Sequence, residues 1–204
     1  MITIVDYNMG NLGSIRNMLR KIGQEAQVTA DPVLIENADK LVLPGVGAFD
    51  AGMDNLERSG LIPLLNRRVL EDRVPTLGIC LGMQLMTRSS EEGKRAGLGC
   101  VDAEALRFRP ADASLKVPHM GWNRVMPARP SLLTDELPAE PRFYFVHSFY
   151  VRCHDYADVL LTTPFGVPFT SGFQHGNVWG VQFHPEKSHK FGMALLRNFA
   201  TKVD

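Results

Sequence analysis

The sequence predicts an α/β fold: a mostly parallel, twisted central sheet flanked by helices, with antiparallel additions in the C-terminal half. In the first 86 residues, short apolar runs alternate with segments of helical spacing, and each run ends in a glycine or a polar turn. Parallel strands joined by helical crossovers read this way. Past residue 95 the texture changes to short aromatic runs with frequent prolines, which suits antiparallel strands. The 204 residues, 45% hydrophobic and 22% charged, are enough to bury one core, and no linker, repeat or low-complexity tract divides them. Residues 1–204 are therefore expected to form one domain.

In chain order, "ITIVDY" (2–7) is a first buried strand, followed by "GSIRNMLRKIG" (13–23) with helical spacing. "KLVLPG" (40–45) is a second strand, and "AGMDNLERSGLIPLLNRRVLED" (51–72) a long helical segment after it. "PTLGIC" (75–80) is a third. "RFYFVHSFYV" (142–151) and "VWGVQFHP" (178–185) read as strands of the second half, and "FGMALLRNFATKV" (191–203) as a closing amphipathic helix.

Composition excludes several classes. Lys and Arg (22) balance Asp and Glu (22), so no basic field favours nucleic acid or an anionic membrane. The first residues enter a strand without a signal-like leader, and no apolar run approaches the roughly 18 residues of a membrane span, so a cytoplasmic protein is expected. Cys80, Cys100 and Cys153 make an odd count without C-x-x-C spacing, which suggests neither a disulfide framework nor a zinc site.

Thiol chemistry stays open, and "PTLGICLGMQLM" (75–86) is where it would sit. Leu77 and Ile79 end a strand, and Leu81, Met83, Leu85 and Met86 begin a helix, with Gly78 and Gly82 flanking Cys80. In a doubly wound sheet this turn lies beyond a strand's carboxyl end, where ligands bind. The spacing matches the elbow of G-x-S-x-G hydrolases with sulfur for oxygen. A helix start favours the thiolate, and the Leu81 N–H, lacking an intrahelical partner, can receive an oxyanion. The same spacing is compatible with an inert buried cysteine.

Of six histidines, His184 in "GVQFHPEKS" follows an apolar strand and precedes Pro185 and Glu186. In extended chain His184 and Glu186 project to one side, so the carboxylate can hold the imidazole while its other nitrogen faces a thiol. A strand-end histidine beside a solvated glutamate is the bland alternative. "LVLPGVGAF" (41–49) places Gly45-Val46-Gly47 after the second strand, where Val46 or a neighbour can offer a second N–H to the oxyanion; an ordinary glycine turn fits equally. No G-K-[ST] follows to bind phosphate.

Together, the G-x-C-x-G elbow, the downstream H-P-E and the upstream P-G-x-G resemble the class I glutamine amidotransferases. Through "DYNMGNLGSI", "LPGVGAFDAGM", "GICLGMQLM", "KVPHMGWN", "YFVHSFY" and "GVQFHPEKS", the chain is similar nearly end to end to the glutaminase subunits of imidazole glycerol phosphate synthase. The resemblance implies a Cys80, His184 and Glu186 triad that releases glutamate and ammonia from L-glutamine through a covalent thioester, with no cofactor and no metal. It implies an oxyanion hole at Val46 and Leu81 and glutamine binding by Gly45, Gly47, Gln84, Ser148 and Phe149. Asn11, Met120, Trp122, Tyr144 and Lys187 would meet a (β/α)₈ barrel synthase subunit in a heterodimer. Ammonia passed to that partner would form imidazole glycerol phosphate and AICAR in histidine biosynthesis.

Two departures stand out. Asn8 replaces the first glycine of the frequent D-Y-G-x-G-N, and Ser14-Ile15 follows Gly13 where Arg-Ser-Val is frequent. "HKFGMALLRNF" (189–199) is similar to second copies of the subunit that supply ammonia for amidating a surface-polysaccharide sugar. A non-catalytic binding or regulatory protein on the same fold is a further alternative.

Overall fold

The computed structural model describes residues 1–203. The first half comprises β1 (Ile2–Val5), α1 (Leu12–Lys21), β2 (Ala26–Thr29), α2 (Pro32–Glu36), β3 (Lys40–Gly45), α3 (Phe49–Arg58), α4 (Ile62–Asn66), β4 (Thr76–Cys80) and α5 (Leu81–Leu85). The second adds β5 (Ser89–Ser90), β6 (Ala103–Arg107), β7 (His119–Arg124), β8 (Met126–Pro127), β9 (Arg142–His147), β10 (Phe149–Cys153), β11 (Val159–Phe165), β12 (Val167–His175), β13 (Val178–Val181) and α6 (His189–Thr201).

The main sheet runs β2-β1-β3-β4-β13-β12-β10-β6-β5. Its β2, β1, β3, β4 and β13 are mutually parallel, and β12, β10 and β6 continue it antiparallel. The α/β reading with antiparallel additions therefore holds. Apolar side chains alternate across the strands into two cores. Leu41 and Leu43 of β3 face a cluster with Phe49, Leu56 and Leu85, whereas Val42 faces one with Leu77, Ile79, Phe183, Leu195 and Phe199. Because β1 sits between β2 and β3, the chain reverses direction across the sheet, and β3, β4 and β13 end side by side next to that reversal.

Several boundaries differ from the sequence reading. The strand expected over 142–151 is two strands in two sheets: β9 pairs with β7 in a two-stranded sheet, and β10 joins β6 in the main sheet. The break falls at Ser148, where the chain leaves one sheet for the other. The helical segment expected over 51–72 is α3, then α4, then a single π turn over Arg67–Glu71. Gly60, at φ +68°, ends the first piece, and Pro63 lies in the first turn of the second. The four-residue β2 has no signature in the sequence, because its half-buried residues show no sharp alternation.

Asn8 adopts φ +63°, so the asparagine occupies the left-handed conformation that a glycine would serve there; asparagine tolerates it better than most side chains.

Packing around the β4–α5 turn tolerates no side chain at its glycines. A Cβ on Gly82 would lie 1.7 Å from the Leu43 carbonyl oxygen, and one on Gly78 would lie 2.8 Å from the Met83 backbone. Both obstacles are backbone, which cannot rotate away. Gly82→Ala is therefore expected to cost at least about 2 kcal/mol, read as a lowered urea midpoint.

Candidate active site

Cys80 ends β4 and begins α5 at φ +55°, ψ −110°, a conformation that costs a non-glycine residue about 1–3 kcal/mol. It persists because β3 and β13 hold β4 on both sides, with Gly45 opposite Cys80 and Val181 opposite Ile79. The side chain is turned out of the strand at the carboxyl edge of the sheet.

His184 arrives from the other neighbour. Beyond β13 the chain bends at Gln182 and Phe183 and meets β9 in a single bridge between His184 and Tyr144. Phe183 goes into the core, its ring centroid 3.9 Å from that of Phe143, and Gln182 and His184 go toward Cys80. Pro185 then opens a single 3-10 turn, Pro185–Lys187, that folds Glu186 back beneath the imidazole. Glu186 Oε1 lies 2.7 Å from His184 Nδ1, with the two side chains 3% and 2% exposed. A carboxylate accepts, so Nδ1 carries a proton and Nε2 is turned toward the thiol. Burial pushes the imidazole down, but interactions with Cys80 and then Glu186 outweigh it and raise the pKa to about 9.

These groups open onto a cleft of about 350 Å³ lined by Cys80, Leu81, Val46, Gly47, Gln84, Ser148, Phe149 and His184, with Glu92, Pro118, Val146 and His147 completing it. A larger groove of about 800 Å³ along residues 127–136 contains neither cysteine nor histidine. Gly45 lies behind the wall of the cleft, pressed against Tyr7; a Cβ there would sit 2.4 Å from the phenol oxygen. Tyr7, fully buried, donates to the Pro44 carbonyl and so pins the strand up to that point. Past it, Val46 is 42% exposed and Gly47 has φ +110°.

The five residues expected at a partner face lie near the surface. Met120 and Trp122 share the exposed side of β7, and Trp122 is opposite Tyr144 of β9. Lys187 Nζ stands 5.7 Å from the Tyr144 ring, and exposed Asn11 caps α1, which packs on the 185–187 turn. The backbone joins this face to the cleft: the His184 N–H donates to the Tyr144 carbonyl at 2.9 Å.

A model of the class-I glutamine amidotransferase family matches residues 3–203. The chain belongs to the class I glutamine amidotransferases. It is thus a glutamine-hydrolysing enzyme of a family that works through a covalent cysteine. Among relatives of this amidotransferase is an imidazole glycerol phosphate synthase subunit HisH 2 of Methanococcus maripaludis, 54% identical over 199 residues and 98% of each chain. One of the same name from Pseudomonas aeruginosa is 47% identical over the full length of both. Among solved structures, a glutamine amidotransferase superposes with a TM-score of 0.76 at 18% identity, over 98% of this chain and 97% of that one. The PurLQS structure from Thermotoga maritima gives 0.74 at 17%, over 100% and 98%. At these identities the two structures speak for the fold alone.

Two features of the amidotransferase cleft, Gln182 and Glu92, escaped the sequence reading. Gln182, fully buried, donates from Nε2 to Cys80 Sγ at 3.7 Å; its position two residues before His184 was the available signal. Glu92 enters from the loop after β5, with Oε2 accepting from the Phe49 N–H at 2.8 Å, and nothing in its local sequence points to the cleft. His147 lies 2.9 Å from His119, and burial pushes their pKa values down to about 3 and about 4. Burial also pushes Cys100 and Cys153 up to about 12, which favours the protonated thiol in both. No helix among the described residues is long and apolar enough to cross a membrane.

The raised His184 pKa has a checkable origin. In an NMR titration its ring should change protonation near pH 9, and Cys80→Ala should lower that midpoint, because the first raising partner is gone while burial remains. An unchanged midpoint would place the cause elsewhere.

Proposed function

We propose that this chain is the glutaminase subunit of an imidazole glycerol phosphate synthase, feeding ammonia to a (β/α)₈ barrel subunit in a heterodimer. The observation behind the chemistry is the convergence of Cys80 with the buried His184–Glu186 pair on one cleft. The pathway rests on the two end-to-end relatives bearing that subunit's name.

In this reading L-glutamine enters with its carboxamide against Cys80. The cleft's carboxylate, Glu92, faces the α-ammonium, and Gln84, Ser148 and Phe149 hold the remainder, with Gly47 shaping the wall beside the carboxamide and Gly45 supporting it from behind. The Cys80 proton moves to His184 Nε2 before attack, in keeping with the raised pKa of that ring, and the thiolate sulfur then bonds to the amide carbon as the carbonyl electron pair shifts to oxygen. The N–H groups of Leu81 and Val46 receive the oxyanion. Collapse breaks the C–N bond, and His184 returns the proton to the leaving nitrogen, releasing ammonia and leaving a thioester. Water, deprotonated by the same nitrogen, then attacks the thioester; the C–S bond breaks, and glutamate departs. Glu186 keeps Nδ1 protonated throughout, so Nε2 is always the nitrogen that exchanges the proton.

Ammonia would leave toward the face of Asn11, Met120, Trp122, Tyr144 and Lys187. A second reading keeps this chemistry and changes the acceptor to a surface-polysaccharide sugar. Both relatives are named HisH 2, and the 189–199 run favours the same alternative. A non-catalytic protein on this fold is disfavoured by the intact triad geometry.

Cys80→Ala should abolish glutamate release with the fold intact, whereas Cys100→Ser and Cys153→Ser should leave it near normal. His184→Asn should lower kcat by about 10²–10⁴. Glu186→Gln should do less and act more on kcat than on KM. Normal kinetics in both of the last two would make the H-P-E run structural.

The isolated chain should hydrolyse glutamine slowly. Leu81 sits in a fixed turn, but the Val46 donor lies past the point where Tyr7 pins the strand, between two glycines. A missing oxyanion donor forfeits about 10²–10³ in rate. Glutamate release should therefore rise by about that factor when the barrel partner and its nucleotide substrate are added. Equal rates with and without them would refute the switch, and stimulation only by a sugar-modifying partner would transfer the protein to the second reading.

A further inference from the structure

One backbone carbonyl determines the polarity of the whole network behind the cleft. Phe149 O can only accept. His147 Nδ1, 2.7 Å away, must therefore donate to it, so His147 Nε2 accepts from His119 Nδ1 at 2.9 Å, and His119 Nε2 accepts from Asn123 Nδ2 at 3.1 Å. The low pKa values of both rings agree with this neutral arrangement. The same carbonyl lies 3.3 Å from the amide nitrogen of Gln84, which also donates to Gln182 Oε1 at 3.0 Å. With its oxygen so engaged, Gln182 must present Nε2–H to Cys80 Sγ. Gln182 is 0% exposed, so no water competes for that N–H.

We propose that Gln182 is a positioning residue for the nucleophile: its amide N–H holds the Cys80 sulfur in place, and Gln84 and the Phe149 carbonyl dictate the direction of that donation. This rests on Cys80 being the nucleophile. A thiol is a weak acceptor and a thiolate a strong one, so the bond tightens whenever sulfur carries charge. That happens twice per turnover. Before attack, the N–H fixes the thiolate in line with the carboxamide. In hydrolysis of the thioester, water adds to the carbonyl carbon, its proton goes to His184, and the C–S electron pair returns to sulfur, where the Gln182 N–H receives it. Losing the donor should slow this second step most, because sulfur is then the leaving group.

The test uses the chain with its synthase partner. Gln182→Met preserves length and removes both amide dipoles. Gln182→Glu keeps an oxygen for Gln84 but turns an acceptor toward sulfur. A donor role predicts wild type above Met and Met at or above Glu, with kcat down about 10–100-fold for Met and KM changed less than about threefold. Intact-mass analysis after quenching should show a glutamyl thioester accumulating in Gln182→Met, and iodoacetamide should alkylate its Cys80 more slowly at pH 7.5. A purely structural role predicts the opposite order, since Glu restores the contact with Gln84. Glu more active than Met, or both within twofold of wild type, would overturn the proposal. Thermal melting of each variant separates loss of fold from loss of the donor. Cys80→Ala run in parallel keeps the two readings apart: residual turnover there would remove the nucleophile assignment itself.

Discussion

The close approach of the Gly82 backbone to the Leu43 carbonyl oxygen governs the site. Only a hydrogen fits between α5 and β3 at that point, so α5 can start directly at the end of β4 instead of after a loop. Cys80 is thereby forced to φ +55°, and its side chain leaves the strand's own alternation to face the cleft. The elbow is stable because the sheet surrounds it: β4 is a central strand, buried along its entire length. Strain of a few kcal/mol at one residue is offset by a core that could not form with the turn relaxed.

Much of what surrounds Cys80 then comes from the two flanking strands. β3 delivers the Gly45-Val46-Gly47 turn, and β13 delivers Gln182 and His184, because parallel strands in register end at the same level. The His184–Glu186 contact is an electrostatic commitment of the fold. Two nearly inaccessible side chains that can carry charge lie 2.7 Å apart, and burial would neutralise the histidine were it alone. Among the described residues the only hydrogen-bond partner of the Glu186 carboxylate is the imidazole, with none on Oε2.

The hairpin of β7 and β9 lies outside the main sheet and touches both the cleft and the surface. On its buried side His119 and His147 continue the polar network that ends at sulfur; on its exposed side Met120 and Trp122 lie at the surface. Trp122 is stacked on His189 at 5.5 Å, and His189 is itself at φ +46°. A partner pressing on this side would act on elements bonded to His184 through Tyr144.

By itself the sequence determined whatever local pattern can encode. The alternation of apolar runs with helical spacing gave β1, β3 and β4 of the parallel half but not β2, and glycines flanking a cysteine gave the elbow, since no other residue suits that packing. His184 and Glu186 were legible because two-residue spacing and a proline constrain them within one short segment. Tertiary structure alone decided the rest. The split of 142–151 at Ser148 depends on which strands accept each half, and no local pattern distinguishes one sheet from another. Glu92 reaches the cleft only because the loop after β5 packs against the start of α3. The direction of the Gln182 amide follows from a carbonyl 33 residues earlier in the chain, through a third residue on α5. Hydrogen-bond polarity is a property of groups brought together by folding, and a sequence records only that the groups exist.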